Sequence, residues 1–331
     1  CTNDWTCIDA ELPCDGDVHY GPTGNITYKA DVGTYVPDPL HPHAVKSAGA
    51  LQFEHDAVGN QVERPGETIT YTDFDLPRQY IPKAGGVTTT FEYSAEGKRV
   101  RRMRGEAETV YIGGVYELDT NGNTVVERFY VHNDERAFAV VERLATGDAW
   151  RYVHTDHLGS VDVITDSGGQ EIDRRSFDAW GAPRDPKWGG GGAPSSNTAT
   201  RRGFTWHEWD DDVGLVNAGG RIYDPKIARF LQTDPVIADV LDAQTQNPYS
   251  YVFNRPLVMT DPSGFEAEAH SVLLQGAGTP GYATPEQAQL VQDHQKTWLM
   301  QWTREHPATG PPQQWMVEWG PAGADPAPSA P

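Results

Sequence analysis

Cysteine is missing from almost the whole of this 331-residue chain. Its only three, Cys1, Cys7 and Cys14, fall within the first fourteen residues. No disulfide framework can therefore hold the main body. Spacings of six and seven do not match the common zinc patterns, so the three are read as local and structural, with one bridge plus an odd thiol left open and a partner upstream equally open. Positive charge is also short: 26 Lys and Arg stand against 47 Asp and Glu, for a net charge of −21. Phosphate binding needs clustered basic residues in excess, so the balance argues against a nucleic-acid surface and against attraction to an anionic membrane. No run approaches the roughly 20 apolar residues of a membrane-spanning helix. The chain opens at Cys1 rather than Met and reads as a piece of a longer protein, so the lack of a signal segment carries no meaning.

Turn formers and aromatics are abundant. Gly and Pro make up 59 of 331 residues, with 10 Trp, 14 Tyr and 10 Phe beside them. Disordered chains are poor in aromatics, so this mixture, with Thr and Val, predicts many short strands joined by tight turns. A spaced pattern recurs: an apolar or aromatic residue, often Asp three places on, and Gly six places on. It appears as V18-HYGPT-Gly24, F53-EHDAV-Gly59, F91-EYSAE-Gly97, Y116-ELDTN-Gly122, V153-HTDHL-Gly159 and V163-ITDSG-Gly169. Each unit reads as strand, turn with Gly at a positive φ, strand, and such hairpins must join a larger sheet to bury a face. The fold class expected is all-β.

F53-EHDAVGNQVER, F91-EYSAEGKRVRR and R151-YVHTDHLGSVDVITDSGGQEIDRRSFDAWG resemble YD repeats of the RHS family. G220-RIYDPKIARFLQTDP and N247-PYSYVFNRPLVMTDPSGF resemble its repeat-associated core domain. The resemblance covers about residues 18 to 265. It implies a β-sheet ribbon coiling into a hollow shell with the core as a plug, as in bacterial polymorphic toxins, the C component of Tc toxins, and teneurins. The expected domains are a Cys-bearing lead-in (1–17), the repeat ribbon (18–150), the core (151–265) and a variable tail (266–331). In the tail, Thr284, Pro285 and Gln287 form a helix start, and Ala288, Val291, Trp298 and Trp302 continue at helical spacing to about residue 306. The Pro/Gly/Ala-rich remainder reads as disordered.

Several constellations invite chemistry and are set aside. H154-TDH with Asp156, and H41-PH, lack the ligand set of a metal site. The run K98-RVRRMR would put charge on both faces of a strand and reads as solvated or shell-lining. Trp298, Trp302, Trp315 and Trp319 suit a hydrophobic contact with the shell. No phosphate loop, nucleotide fold or Cys/His nucleophile is present, so neither metal nor cofactor is expected. Asp-Pro occurs at Asp38, Asp185, Asp224 and Asp325, where turn formation suffices.

Asp234 and Asp261, also followed by Pro, stand apart through the resemblance. Core domains of this family resemble aspartic proteases that cut their own chain after a D-P-x-G-hydrophobic motif, here D261-PSGF. That implies a cut between Phe265 and Glu266, with Arg221, thirteen residues before Asp234, and Asp261 as the second acid. Phe265 departs from the commoner Leu. Two close carboxyls share a proton, so one can act as base on water while the other donates. The expected function is thus a secreted or cell-surface bacterial shell that encloses its own tail as toxin cargo and releases it by single-turnover self-cleavage, with a delivery apparatus and an immunity protein as further partners. The alternatives are a non-catalytic adhesion scaffold of the teneurin kind, or a tail that is itself an effector enzyme; the short, acidic tail speaks against the last.

Overall fold

A computed structural model describes residues 17–133, 136–186, 199–236 and 245–269. Two compact units are distinguished, 1–273 and 274–331, and all described residues belong to the first. The expected lead-in up to residue 16 and the tail helix lie outside the described residues.

Nearly all the regular structure of the described residues is antiparallel strand, with two single-turn 3-10 segments at Phe204–Trp206 and Val252–Asn254. Every strand pairs with its sequence neighbour. Five strands between Val18 and Gln52 form one sheet, and thirteen between Glu54 and Arg174 form a second. Four short strands, Glu208–Asp210, Leu215–Asn217, Ile222–Asp224 and Arg229–Phe230, form a third; Met259–Thr260 and Glu268–Ala269 pair as a fourth. The single continuous sheet expected over 18–265 is therefore interrupted. The first break follows Phe53, whose amide still bonds the Lys46 carbonyl at 3.0 Å while its side chain is buried in the core; the next strand, from Glu54, joins the other sheet. The thirteen-stranded sheet runs through residue 150 inside the strand Gly147–Thr155.

The repeat has a local cause. In the turns headed by Asp56, Asp156 and Asp166, one side-chain oxygen accepts the backbone N–H groups two and four residues on, at 2.8–3.0 Å. The Gly three places after each Asp sits at φ +95°, +82° and +78°, where only glycine escapes a Cβ clash. Ser94 fills the Asp position in the unit closed by Gly97. Asp178 heads one more such turn, closed by Gly181, which the repeat pattern did not include. Asp119 differs. Asn121 pairs with Thr124 in a tight hairpin, which leaves Asp119 inside a strand, where it meets Arg128 and Arg201.

The four-stranded sheet is buried on both faces. Val216, Tyr223 and Phe230 are mutual partners across its ladder and join Tyr35, Phe53, Trp180 and Tyr251 in one apolar cluster. Their neighbours Leu215, Ile222 and Leu231 pack instead with Ile69, Tyr80 and Phe91 of the long sheet. Period-two alternation thus turns one apolar set toward each larger sheet. Charges follow the same geometry. Arg99 donates to Asp210 at 2.8 and 2.9 Å and to Glu208 at 3.1 Å, with all three side chains buried. Arg102 reaches Asp212 at 2.7 Å. The basic run at 98–104 is therefore only half solvated. A slip in pairing between Glu92 and Tyr93 accompanies the inward turn of Arg99 and Arg102, while Arg101 and Arg104 stay exposed.

Candidate functional site

Arg221 lies at the mouth of the strand Ile222–Asp224, and its guanidinium stacks on the Phe230 ring at 3.7 Å. Its Nη2 meets Asp234 Oδ2 at 2.8 Å and Asp261 Oδ2 at 3.4 Å. Nη1 donates to the Pro248 carbonyl at 2.9 Å, and Nε donates to the Gly264 carbonyl. One guanidinium therefore ties together four segments separated by up to 43 residues.

Each acid is held by its turn as well. Asp234 Oδ1 accepts from Val236 N at 2.8 Å, and the Asp234 amide donates to the Pro248 carbonyl at 2.9 Å. Asp261 Oδ1 accepts from Gly264 N at 2.8 Å and from Glu266 N at 3.1 Å. That carboxyl thus touches the amide nitrogen of the Phe265–Glu266 peptide. The return from Asp234 to Asp261 is not made by a continuous strand. Ser250 forms a single bridge with Arg229, the chain then turns through Val252–Asn254, and Tyr249 and Tyr251 are buried as core side chains.

Burial pushes both carboxyls above the usual Asp range. Arg221 pulls each back down, as do the amides of Gly264 and Glu266 for Asp261, while Asp234 raises Asp261 further. Burial also lowers the Arg221 pKa, against the pull of both acids; a guanidinium nonetheless stays charged at neutral pH. Asp234 is the more open acid, its side chain 14 % exposed against 3 % for Asp261. So the site holds one fixed cation, two acids of raised proton affinity, and an exposed peptide at Phe265–Glu266.

All five residues singled out in the sequence, Arg221, Asp234, Asp261, Phe265 and Glu266, meet here. Three contributors were not singled out. Ser263 Oγ accepts from the amides of Phe265 and Glu266, both at 3.1 Å. His207 is buried, with Nε2 2.9 Å from the Asp261 carbonyl oxygen, and burial brings its pKa down to about 4. Gly220 lies under the Phe265 ring. Ser263 was within reach of sequence reasoning, since it stands inside the D-P-x-G motif; His207 is 54 residues from its partner and carries no such signal. The residues set aside stay apart from one another in role: Asp156 heads a repeat turn, His154 sits on an exposed strand face near Thr165, and His157 contacts the Leu257 carbonyl. Asp38 and Asp224 each accept the amide two residues on, as turn acids do. A cavity of about 190 Å³ lies elsewhere, lined by Arg102, Glu108, Thr109, Asp119 and Arg201.

The architecture is an all-β body in which a small four-stranded sheet packs against the larger sheets on both of its faces. No family model matches the chain. It is similar to the tRNA nuclease WapA of Bacillus subtilis, 26 % identical over 181 residues, covering 53 % of this chain and 7 % of that protein. It is also similar to the toxin subunit YenC1 of Yersinia entomophaga, 26 % identical over 234 residues, 63 % of this chain and 23 % of that one. Among solved structures, the TcdB2–TccC3–Cdc42 crystal structure shares the fold at a TM-score of 0.61 and 20 % identity, over 76 % of this chain and 13 % of that chain. The chain thus spans less than a quarter of the length of these proteins, and it resembles the β-sheet body of toxin components.

Proposed function

We propose that this chain is part of an RHS-type toxin shell whose core cuts its own backbone once, between Phe265 and Glu266. The observation that carries the reading is the meeting of Asp234 and Asp261 on one Arg221 nitrogen, with Asp261 against the nitrogen of that peptide. Asp234, the more open acid, takes a proton from water as the water oxygen attacks the Phe265 carbonyl carbon. As the C–N bond breaks, Asp261 supplies the proton for the Glu266 nitrogen, giving a Phe265 carboxylic acid and a Glu266 amine; the acid then passes its proton to the amine, leaving carboxylate and ammonium. The fixed charge of Arg221 steadies the negative charge that develops. Neither metal nor cofactor enters the reaction.

Residues 266–331 are then the enclosed cargo, and the protein is secreted or surface-exposed on a bacterium, served by a delivery apparatus and matched by an immunity protein. The similarity to toxin components supports this setting. A second reading, a non-catalytic scaffold, is favoured by one observation: Asp234 also caps Val236 as an ordinary Asp-Pro turn does.

Mass spectrometry of the purified protein separates the two. Two fragments joining at 265/266 are expected from the wild-type chain. Asp234→Asn and Asp261→Asn should leave it whole with an unchanged circular dichroism spectrum, a loss of at least about 10²-fold in cutting rate. A wild-type chain that folds and stays intact would establish the scaffold. Added protease should digest residues 266–331 more slowly in the folded protein than in the free tail peptide; equal rates would remove the enclosure.

A further inference from the structure

Gly220 and Phe265 are in direct contact, and the contact exists only because residue 220 has no side chain. A Cβ on Gly220 would lie within 2.6 Å of three ring carbons of Phe265, Cε2, Cζ and Cδ2. Gly219 and Gly264 stand at φ +96° and +80°, which explains glycine there, but Gly220 lies outside the left-handed region. Its backbone therefore does not demand glycine; the ring does. Around the contact, the Gly220 amide donates to the Ser263 carbonyl at 2.8 Å. A Cβ on Gly264 would come within 2.8 Å of both the Gly220 and Arg221 nitrogens, so the two chain segments lie backbone to backbone. The Arg221 guanidinium stands 5.9 Å from the Phe265 ring centroid and stacks on the Phe230 ring at 3.7 Å. The ring thus rests on a bare stretch of backbone at the edge of the cation that holds both acids.

We propose that Gly220 determines specificity: it forms a slot for a large flat side chain at the residue preceding the cut, and Phe265 and Gly220 are matched in size. The proposal rests on the self-cleavage reading above and adds to it which residue fixes the register of the cut peptide. With the ring seated, the Glu266 nitrogen is held 3.1 Å from Asp261 Oδ1. A methyl group on residue 220 would lift the ring and carry the attached peptide away from the acids. Misplacement of about 1 Å at a reacting group costs as much as about 10²-fold in rate. Leu lacks Cε2 and Cζ, the two ring atoms nearest the added methyl, so a smaller side chain at 265 should tolerate it better.

The test is a four-member set followed by the appearance of the 1–265 fragment after refolding: wild type, Gly220→Ala, Phe265→Leu and the double variant. With glycine at 220, Phe265 should be cut faster than its Leu replacement. In the Gly220→Ala background the order should reverse, with the single variant slowed about tenfold or more and the double variant recovering most of that loss. The same order in both backgrounds, with wild type cutting normally, overturns the slot and leaves the self-protease standing. Thermal unfolding of Asp261→Asn versions of all four reads the packing without the reaction. Non-additive melting shifts among the Asp261→Asn versions, together with a wild-type chain that never cuts, would keep the Gly220–Phe265 fit while removing the cleavage reading, and additive shifts would remove the fit.

Discussion

Aspartate works in opposite ways in the long sheet and in the plug. In the turns of the thirteen-stranded sheet, Asp56, Asp156 and Asp166 each satisfy two backbone amides within four residues of themselves. Asp234 gives one oxygen to the amide two residues on, and Asp261 gives one to the amides three and five residues on, and each turns the other oxygen to Arg221. Asp210 gives up the turn altogether and is buried against Arg99. A turn acid is thus worth a local hydrogen bond. A plug acid is worth whatever the distant partner across the fold makes of it.

Stability measurements can break that comparison, beginning where the effect is largest after the loss of cutting already described. Arg99→Met removes the cation shared by buried Glu208 and Asp210. Leaving buried charge without its partner costs about 3–5 kcal/mol, so urea unfolding should show a loss of that size, and a loss below about 1 kcal/mol would mean the pair contributes little.

The next effect is on pH. His207 has a folded pKa of about 4 against an unfolded value of about 6.5. The unfolded chain binds the extra proton between these values, so this contribution is fully present above about pH 6.5 and declines as pH falls toward 4. Between pH 7 and pH 5 it amounts to about 2 kcal/mol. His43, His55 and His132, also lowered chiefly by burial, act in the same direction. The difference in slope between wild type and His207→Asn isolates the share of His207, and identical slopes would show that it is not buried neutral.

Turn acids come lower on the scale. Asp166→Ala should cost about 1 kcal/mol, the worth of one or two net hydrogen bonds in an exposed turn, while leaving self-cleavage unchanged. An effect as large as that of Arg99→Met would erase the distinction between the two regions. Smallest of all is Lys83→Ala. Lys83 pairs with Glu63 at 2.8 Å, but both side chains are more than 40 % exposed, so a change within about 0.5 kcal/mol is expected.

The sequence by itself determined the all-β class and the six hairpin turns closed by Gly24, Gly59, Gly97, Gly122, Gly159 and Gly169. Asp, Gly and the strand residues between them act within four or five positions, so their physics is written in local spacing. Through the resemblance it also singled out Arg221, Asp234, Asp261, Phe265 and Glu266. Local spacing did not reveal that Arg99 and Arg102 turn inward, because a charged strand residue looks solvated until a carboxylate more than 100 residues away lies opposite it. Nor did it reveal that Asp119 leaves its turn, that the ribbon divides into separate sheets, or that Gly220 stands beneath Phe265. Those features depend on which face of the plug meets which sheet, and only the packed chain decides that: burial makes each of these contacts strong, and burial is a property of the fold rather than of any segment.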